Sequence, residues 1–158
     1  MATGLVVVGV GESNPAHAVH GLRETLGEDA GPLLLCHVID NGARGELGMG
    51  RGFGPHRRHP GHHARAVVQA ERDAAAAILS EAARAAARSE TRVEEGEPGR
   101  VLCRLAGEVG AALLAVGARN GPGPDSPEPH SIGHTARFVL DHAPCPVLLV
   151  RRGRPPVG

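Results

Sequence analysis

The chain has 158 residues, 41% hydrophobic and 22% charged, with a formal net charge of zero. That fits one globular domain of ordinary size, with no charge bias toward nucleic acid or an anionic membrane surface. Phe53 and Phe138 are the only aromatic residues, too few for a base-stacking platform, and all 17 basic residues are arginine, which excludes a Walker-type or Schiff-base lysine.

Leu5 to Val10 is an apolar run broken only by Gly9, the pattern of a strand buried on both faces. Pro15 suits the first turn of a helix with Ser13 or Asn14 as its cap, and Ala18, Val19, Leu22 and Leu26 share one face before Gly27 ends it. Leu33 to Ile39 reads as the second buried strand. Asp40 to Pro60 is rich in glycine and arginine without periodicity, a long loop. His62 to Arg88 reads as a long alanine-rich helix with a stripe of Val67, Ala70, Ala74, Ile78, Ala82 and Ala85. Thr91 to Glu95 is a short polar strand, suited to a sheet edge. Pro98 opens a helix with the stripe Val101, Leu102, Leu105, Ala106 and Val109, closed by Gly110. Leu113 to Val116 is a further strand. Ile132 to His142 is a helix stopped by Pro144, and Pro146 to Val150 is the last strand. Residues 152–158 read as a tail.

Strands alternating with helices predict a single α/β domain over residues 1–158, a doubly wound parallel sheet with helices on both faces. In such sheets ligands sit beyond the carboxyl ends of the strands, which directs attention to the loop from Gly117 to His130.

Three cysteines, Cys36, Cys103 and Cys145, are far apart and form no CxxC pair, and read as small buried hydrophobes in a reducing compartment. The N-terminus lacks a basic region and its apolar run is too short for a signal peptide, so the expected location is cytoplasmic, with no membrane partner. His56, His59, His62 and His63 have metal-ligand chemistry, but Pro60 and Gly61 interrupt any i, i+4 geometry and Arg57 and Arg58 repel a cation; no metal site is expected. His37 reads as a hydrogen-bonded core residue. His142 suits a helix C-terminus, and His134, at the opposite end of that helix, is expected to be neutral or to face a ligand. Ser13 is no nucleophile, because Pro15 stands where a nucleophile elbow needs glycine. No catalytic residue is assigned.

Three stretches carry a resemblance: LLLCHVID at 33–40, EEGEPGRVLCRLAGEVGAALLAVGAR at 94–119 and ARFVLDHAPCPVLLVRR at 136–152. With these elements placed, the chain resembles the universal stress protein family. The resemblance implies a Rossmann-like sheet of order 3-2-1-4-5, with the loops after Val10 and Val116 flanking the switch point. It also implies a homodimer and a regulatory protein, not a dedicated enzyme, acting on a protein partner that the sequence does not name.

ATP-binding members of that family carry Gly-x2-Gly-x9-Gly-Ser/Thr after the fourth strand and an Asp after the first. Gly117 and Gly133 match the first and third glycines, but Gly121 is displaced by one from the second and His134 stands for Ser/Thr, with Thr135 one place late. Gly11 occupies the Asp position, with Glu12 and Ser13 beside it, and Val38 is placed to present backbone atoms to an adenine edge. Pro122, Pro124, Pro127 and Pro129 lack the N–H groups that a phosphate cradle needs, and Asp125 and Glu128 add negative charge; Arg119 is the one strong phosphate donor nearby. The expectation is a stress-response or regulatory protein that does not bind ATP strongly and needs no cofactor. The alternative is a switch that binds ATP or ADP with Mg, with slow ATPase activity. The resemblance and the apolar edge formed by Pro146, Val147, Leu148, Leu149 and Val150 together predict that the dimer is built on the last strand.

Overall fold

The computed structural model describes residues 4–42, 60–118 and 132–151. Five strands, β1 (Val6–Gly9), β2 (Leu33–Asp40), β3 (Ser89–Gly96), β4 (Leu113–Gly117) and β5 (Val147–Val150), form one sheet in the order β3-β2-β1-β4-β5. Every neighbouring pair is parallel, with Val6 opposite both Leu33 and Leu113. Four helices complete the described chain: α1 (His17–Leu26), α2 (Pro60–Arg84), α3 (Pro98–Glu108) and α4 (His134–His142).

Strand alternation divides the core in two. Val6, Val8, Leu33, Leu35 and Ala115 point to one face and pack with Ala18, Val19 and Leu22 of α1 and Leu79 and Ala82 of α2. Val7, Leu34, Cys36, Leu114 and Val116 point to the other and pack with Val101, Leu102 and Leu105 of α3 and Ala136 and Val139 of α4. The sheet is therefore covered on both faces, which is why β1 and β2 read as continuous apolar runs.

Several expectations need correction. Helix α1 starts two residues later than Pro15, with Ala16 as its N-cap and no side chain capping it; Asn14 contributes its backbone carbonyl to His17 N–H, not a side-chain cap. Leu26, the last residue of the helix, is 43% exposed and not part of the buried face. The buried stripe of α2 is Ala75, Leu79 and Ala82 with Ile78 beside them, while Ala70 and Ala74 are exposed and Val67 is 54% exposed. An alanine-rich helix offers several nearly equivalent apolar faces, and the one that docks carries the adjacent Ile78 and Leu79, the two largest apolar side chains of the helix. β3 is eight residues long, paired with β2 over its whole length, and does sit at an edge. Cys36 is buried as expected, but Cys103 and Cys145 are only half-buried.

Candidate functional site

The order of the strands reverses between β1 and β4, and a cavity of about 650 Å³ opens there, beyond their carboxyl ends. That volume lies within the range of roughly 300–1,000 Å³ for small-molecule sites. The loop after β1 supplies Gly11, Glu12, Ser13 and Asn14; α1 supplies His17; β2 supplies His37, Val38 and Asp40. Across the opening stand Gly117 and Ala118 at the end of β4, then Gly133, His134 and Thr135 at the start of α4.

Eight residues singled out by sequence thus converge on one cleft: Gly11, Glu12, Ser13, Val38, Gly117, Gly133, His134 and Thr135. Arg119 and Gly121, with the prolines that follow, lie outside the described residues. Asn14, His17, His37 and Asp40 also line the cleft and were not assigned to it by sequence. His37 was legible as a polar residue in an apolar strand, and Asp40 as the last residue of the same strand. His17 carried no comparable signal.

Local structure aims the walls. Helices α1 and α4 both begin at the cleft without a side-chain cap, so their N-terminal dipole ends face it. Gly133, the N-cap of α4, has φ +89°, a conformation that a residue with a side chain adopts only with strain. On the other side, Glu97 caps α3 by accepting from Gly99 N–H at 3.2 Å and Arg100 N–H at 2.9 Å, and its Oε1 lies 3.9 Å from His134 Nε2.

Two histidines form part of the deeper wall. His37 is 6% exposed, and its Nδ1 lies 2.8 Å from the Val10 carbonyl, so the ring nitrogen donates. Its Nε2 is 4.0 Å from Glu12 Oε1. The His17 ring packs toward Gly117, where an added Cβ would lie 3.4 Å from its Cδ2, and its buried Nε2 has no hydrogen-bond partner among the described residues. Burial pushes the Cys36 thiol up to about 12, with Glu94 adding to the shift, so this sulfur at the cleft wall stays protonated and unreactive.

The electrostatic balance is modest. Among the described lining residues there is no arginine or lysine; the fixed charges are the carboxylates of Glu12 and Asp40, and the positive potential comes from the helix ends. Among the described residues no group of three or more His, Cys, Asp or Glu is placed to hold a metal ion, and no helix is long and apolar enough to cross a membrane. The arrangement brings helix N-termini from α1 and α4 and acceptors from Glu12, Asp40 and His37 into one cleft, suited to a ligand that carries both an anionic group and hydrogen-bond donors.

The sequence matches the universal stress protein family over residues 4–151. No curated protein matches it. Among solved structures, hypothetical protein PH0823 is 20% identical, with a TM-score of 0.69 over 96% of this chain and 98% of that one. A universal stress protein from Arabidopsis thaliana with AMP bound is 17% identical, with a TM-score of 0.59 over 95% of this chain and 92% of that one. The Archaeoglobus fulgidus universal stress protein in complex with dAMP is 20% identical, with a TM-score of 0.56 over 95% and 99%. At these identities the structures establish the shared fold.

Proposed function

The chain belongs to the universal stress protein family, and from that premise we propose that it is a cytoplasmic regulatory protein of the stress-response type whose switch-point cleft takes a nucleoside monophosphate and holds ATP only weakly. The observation that carries this reading is the charge of the cleft. Two helix N-termini can balance a small anion, each worth on the order of half a charge. A triphosphate brings roughly twice the charge of a monophosphate, and the described walls meet it with Glu12 and Asp40 and no arginine or lysine. The cavity volume suits a nucleoside with one phosphate. Two relatives of the same fold are complexes with AMP and dAMP, which supports the ligand class. The residues at the sequence-derived positions support it as well: Val38 lines the cleft from β2, two residues before that strand ends, and Gly117 lines it from β4, on the other side of β1.

The chemistry for turnover is thin. The Cys36 thiol stays protonated, Ser13 has no activating partner among the hydrogen bonds and ion pairs found there, and the reading is of a ligand-responsive binding protein. Calorimetric titration of the full chain with AMP and with Mg-ATP tests it. Micromolar AMP binding with ATP at least tenfold weaker is the expected result; ATP binding as tightly as AMP would return the protein to the ATP-switch class.

A further inference from the structure

We infer that Cys103 and Cys145 form a redox-sensitive thiol pair, which a peroxide closes into a reversible disulfide within one chain without rearranging the fold. Cys103 lies in α3 and Cys145 in the turn between α4 and β5. Their distance in sequence hides the pairing, and the packing of α3 on α4 creates it. Gly99, Cys103 and Gly107 recur every four residues along α3 and so share one face. Both glycines of that row meet the α4 side: a Cβ at Gly99 would lie 2.9 Å from Phe138 Cβ, and a Cβ at Gly107 would lie 3.7 Å from Pro144 Cγ. The two segments thus approach closely at both ends of the row, and Cys103 stands between them. One helical turn, about 5.4 Å, separates Cys103 from Gly107, and about 3.8 Å separates Pro144 from Cys145, which brings both thiols to one junction. Both are free and half-buried, and both pack against the same core cluster.

The surroundings give the two sulfurs different roles. Burial raises the Cys103 thiol, and the charges of Cys145 and Glu97 raise it further, so the two thiols lie within each other's field. Cys145 is raised by burial alone and loses its proton first. Its thiolate attacks one peroxide oxygen; the O–O bond breaks, Cys145 becomes a sulfenic acid, and the departing hydroxide takes up the thiol proton as water. Cys103 then attacks the Cys145 sulfur. The S–O bond breaks, the S–S bond forms, and the hydroxide leaves with the Cys103 proton as a second water. Two thiols are oxidised to one disulfide while one peroxide is reduced to two waters. A thiol reductant reverses the step by exchange, as suits a transient bond in a reducing compartment. Cys36 takes no part, because it is buried in β2 and its thiol stays protonated. The bond fastens α3 to the turn that follows α4, and both helices line the cleft with their first turns, through Pro98 and through His134 and Thr135.

The test treats the native full chain, reduced and then freed of reductant, with hydrogen peroxide at pH 8. Remaining thiols are blocked, and the chain is digested with trypsin without reduction. Trypsin releases Cys103 in the peptide Val101 to Arg104 and Cys145 in the peptide Phe138 to Arg151. The expected product is these two peptides joined, from a chain that still migrates as a monomer on a non-reducing denaturing gel, and dithiothreitol restores both thiols. The disulfide form should melt roughly 5–10 °C above the reduced form, because closing a long loop restricts the unfolded chain. Cys103→Ser should stop at a sulfenic acid on Cys145, captured by dimedone, whereas Cys145→Ser should capture several-fold less at Cys103. The joined peptides need no substitution, so a poorly folding variant does not decide the outcome. Oxygen added to the sulfurs with no joined peptide, joining only between chains, a bond to Cys36, or a disulfide form that melts below the reduced one overturns the inference.

Discussion

Gly21 lies in the middle of α1, where it faces the last residue of β5. A Cβ at Gly21 would lie 2.2 Å from Val150 Cγ1, 3.0 Å from Cγ2 and 3.1 Å from Cβ. Carbon atoms pack at about 3.5–4.0 Å, so Gly21→Ala requires a displacement of more than about 1 Å. Val150 cannot absorb it cheaply: it is 6% exposed and its χ1 is stiff. Overpacking of this kind costs about 1–3 kcal/mol, against a helix-propensity gain of about 1 kcal/mol for replacing glycine with alanine. The net effect is a loss of about 1 kcal/mol, or roughly 3 °C in Tm for a domain of this size. Removing most of the obstacle should shrink the loss. Val150→Ala, itself weaker by about 2 kcal/mol, takes away Cγ1 and Cγ2 and leaves only the 3.1 Å contact with Cβ, so in that background Gly21→Ala should be at least about 1 kcal/mol less destabilising than in the native one. Urea denaturation of the four proteins at one protein concentration, with unchanged m-values, measures the cycle. If Gly21→Ala stabilises the native background, or acts equally in both, the packing of α1 on β5 described here is wrong.

The remaining predictions concern the edge, the caps and the thiols. We propose that β5 pairs with a second copy of the chain: it ends the sheet with Val147, Leu148 and Leu149 only half-buried, and the carbonyls of Pro146 and Val150 turn toward β4, so Leu149 N–H faces outward. Leu149→Pro should then turn a sedimenting dimer into monomer or aggregate; a native chain that is monomeric at tens of micromolar refutes the pairing. Glu97→Ala removes the acceptor for two N–H groups of α3 and should cost about 1 kcal/mol in chemical denaturation, whereas an unchanged midpoint means the cap contributes nothing. Because burial raises the folded-state Cys36 thiol to about 12 from 9.0, the unfolded chain loses that proton first. Stability should therefore fall as pH rises above about 9, and less so in Cys36→Ala. Burial also raises the half-buried Cys103 and Cys145, so at pH 8 a thiol reagent should label these two slowly and leave Cys36 untouched until the chain unfolds.

The fold was legible because its signals are redundant. β1 and β2 are apolar runs broken only by Gly9, His37 and the terminal Asp40, Pro98 and Gly110 bracket α3, and Pro144 stops α4, so period and punctuation agree. Where only one weak signal existed the reading slipped: alanine in α2 does not distinguish one helical face from the next, and Pro15 stands outside α1 in the turn that precedes it. The cleft was legible through the glycines and through Glu12, Ser13 and Val38, because the switch-point rule locates loops. It was less legible in histidines. Nothing in the sequence says that His17 packs toward Gly117, or that the one buried polar residue of β2, His37, turns one nitrogen to Val10 and the other toward Glu12; both follow from which loops the sheet order brings together.

The central claim is that the cleft holds one phosphate and not three. The most direct measurement is the melting temperature of the native chain and of Gly117→Val with millimolar AMP and, separately, millimolar Mg-ATP. A ligand at 100 times its Kd stabilises by about 2.7 kcal/mol, which for a domain of this size is a rise of roughly 5–10 °C. The account predicts that rise with AMP, little or none with Mg-ATP, and its loss in Gly117→Val, whose side chain would project into the cleft wall beside His17. A rise of that size with Mg-ATP, abolished by the same substitution, contradicts it.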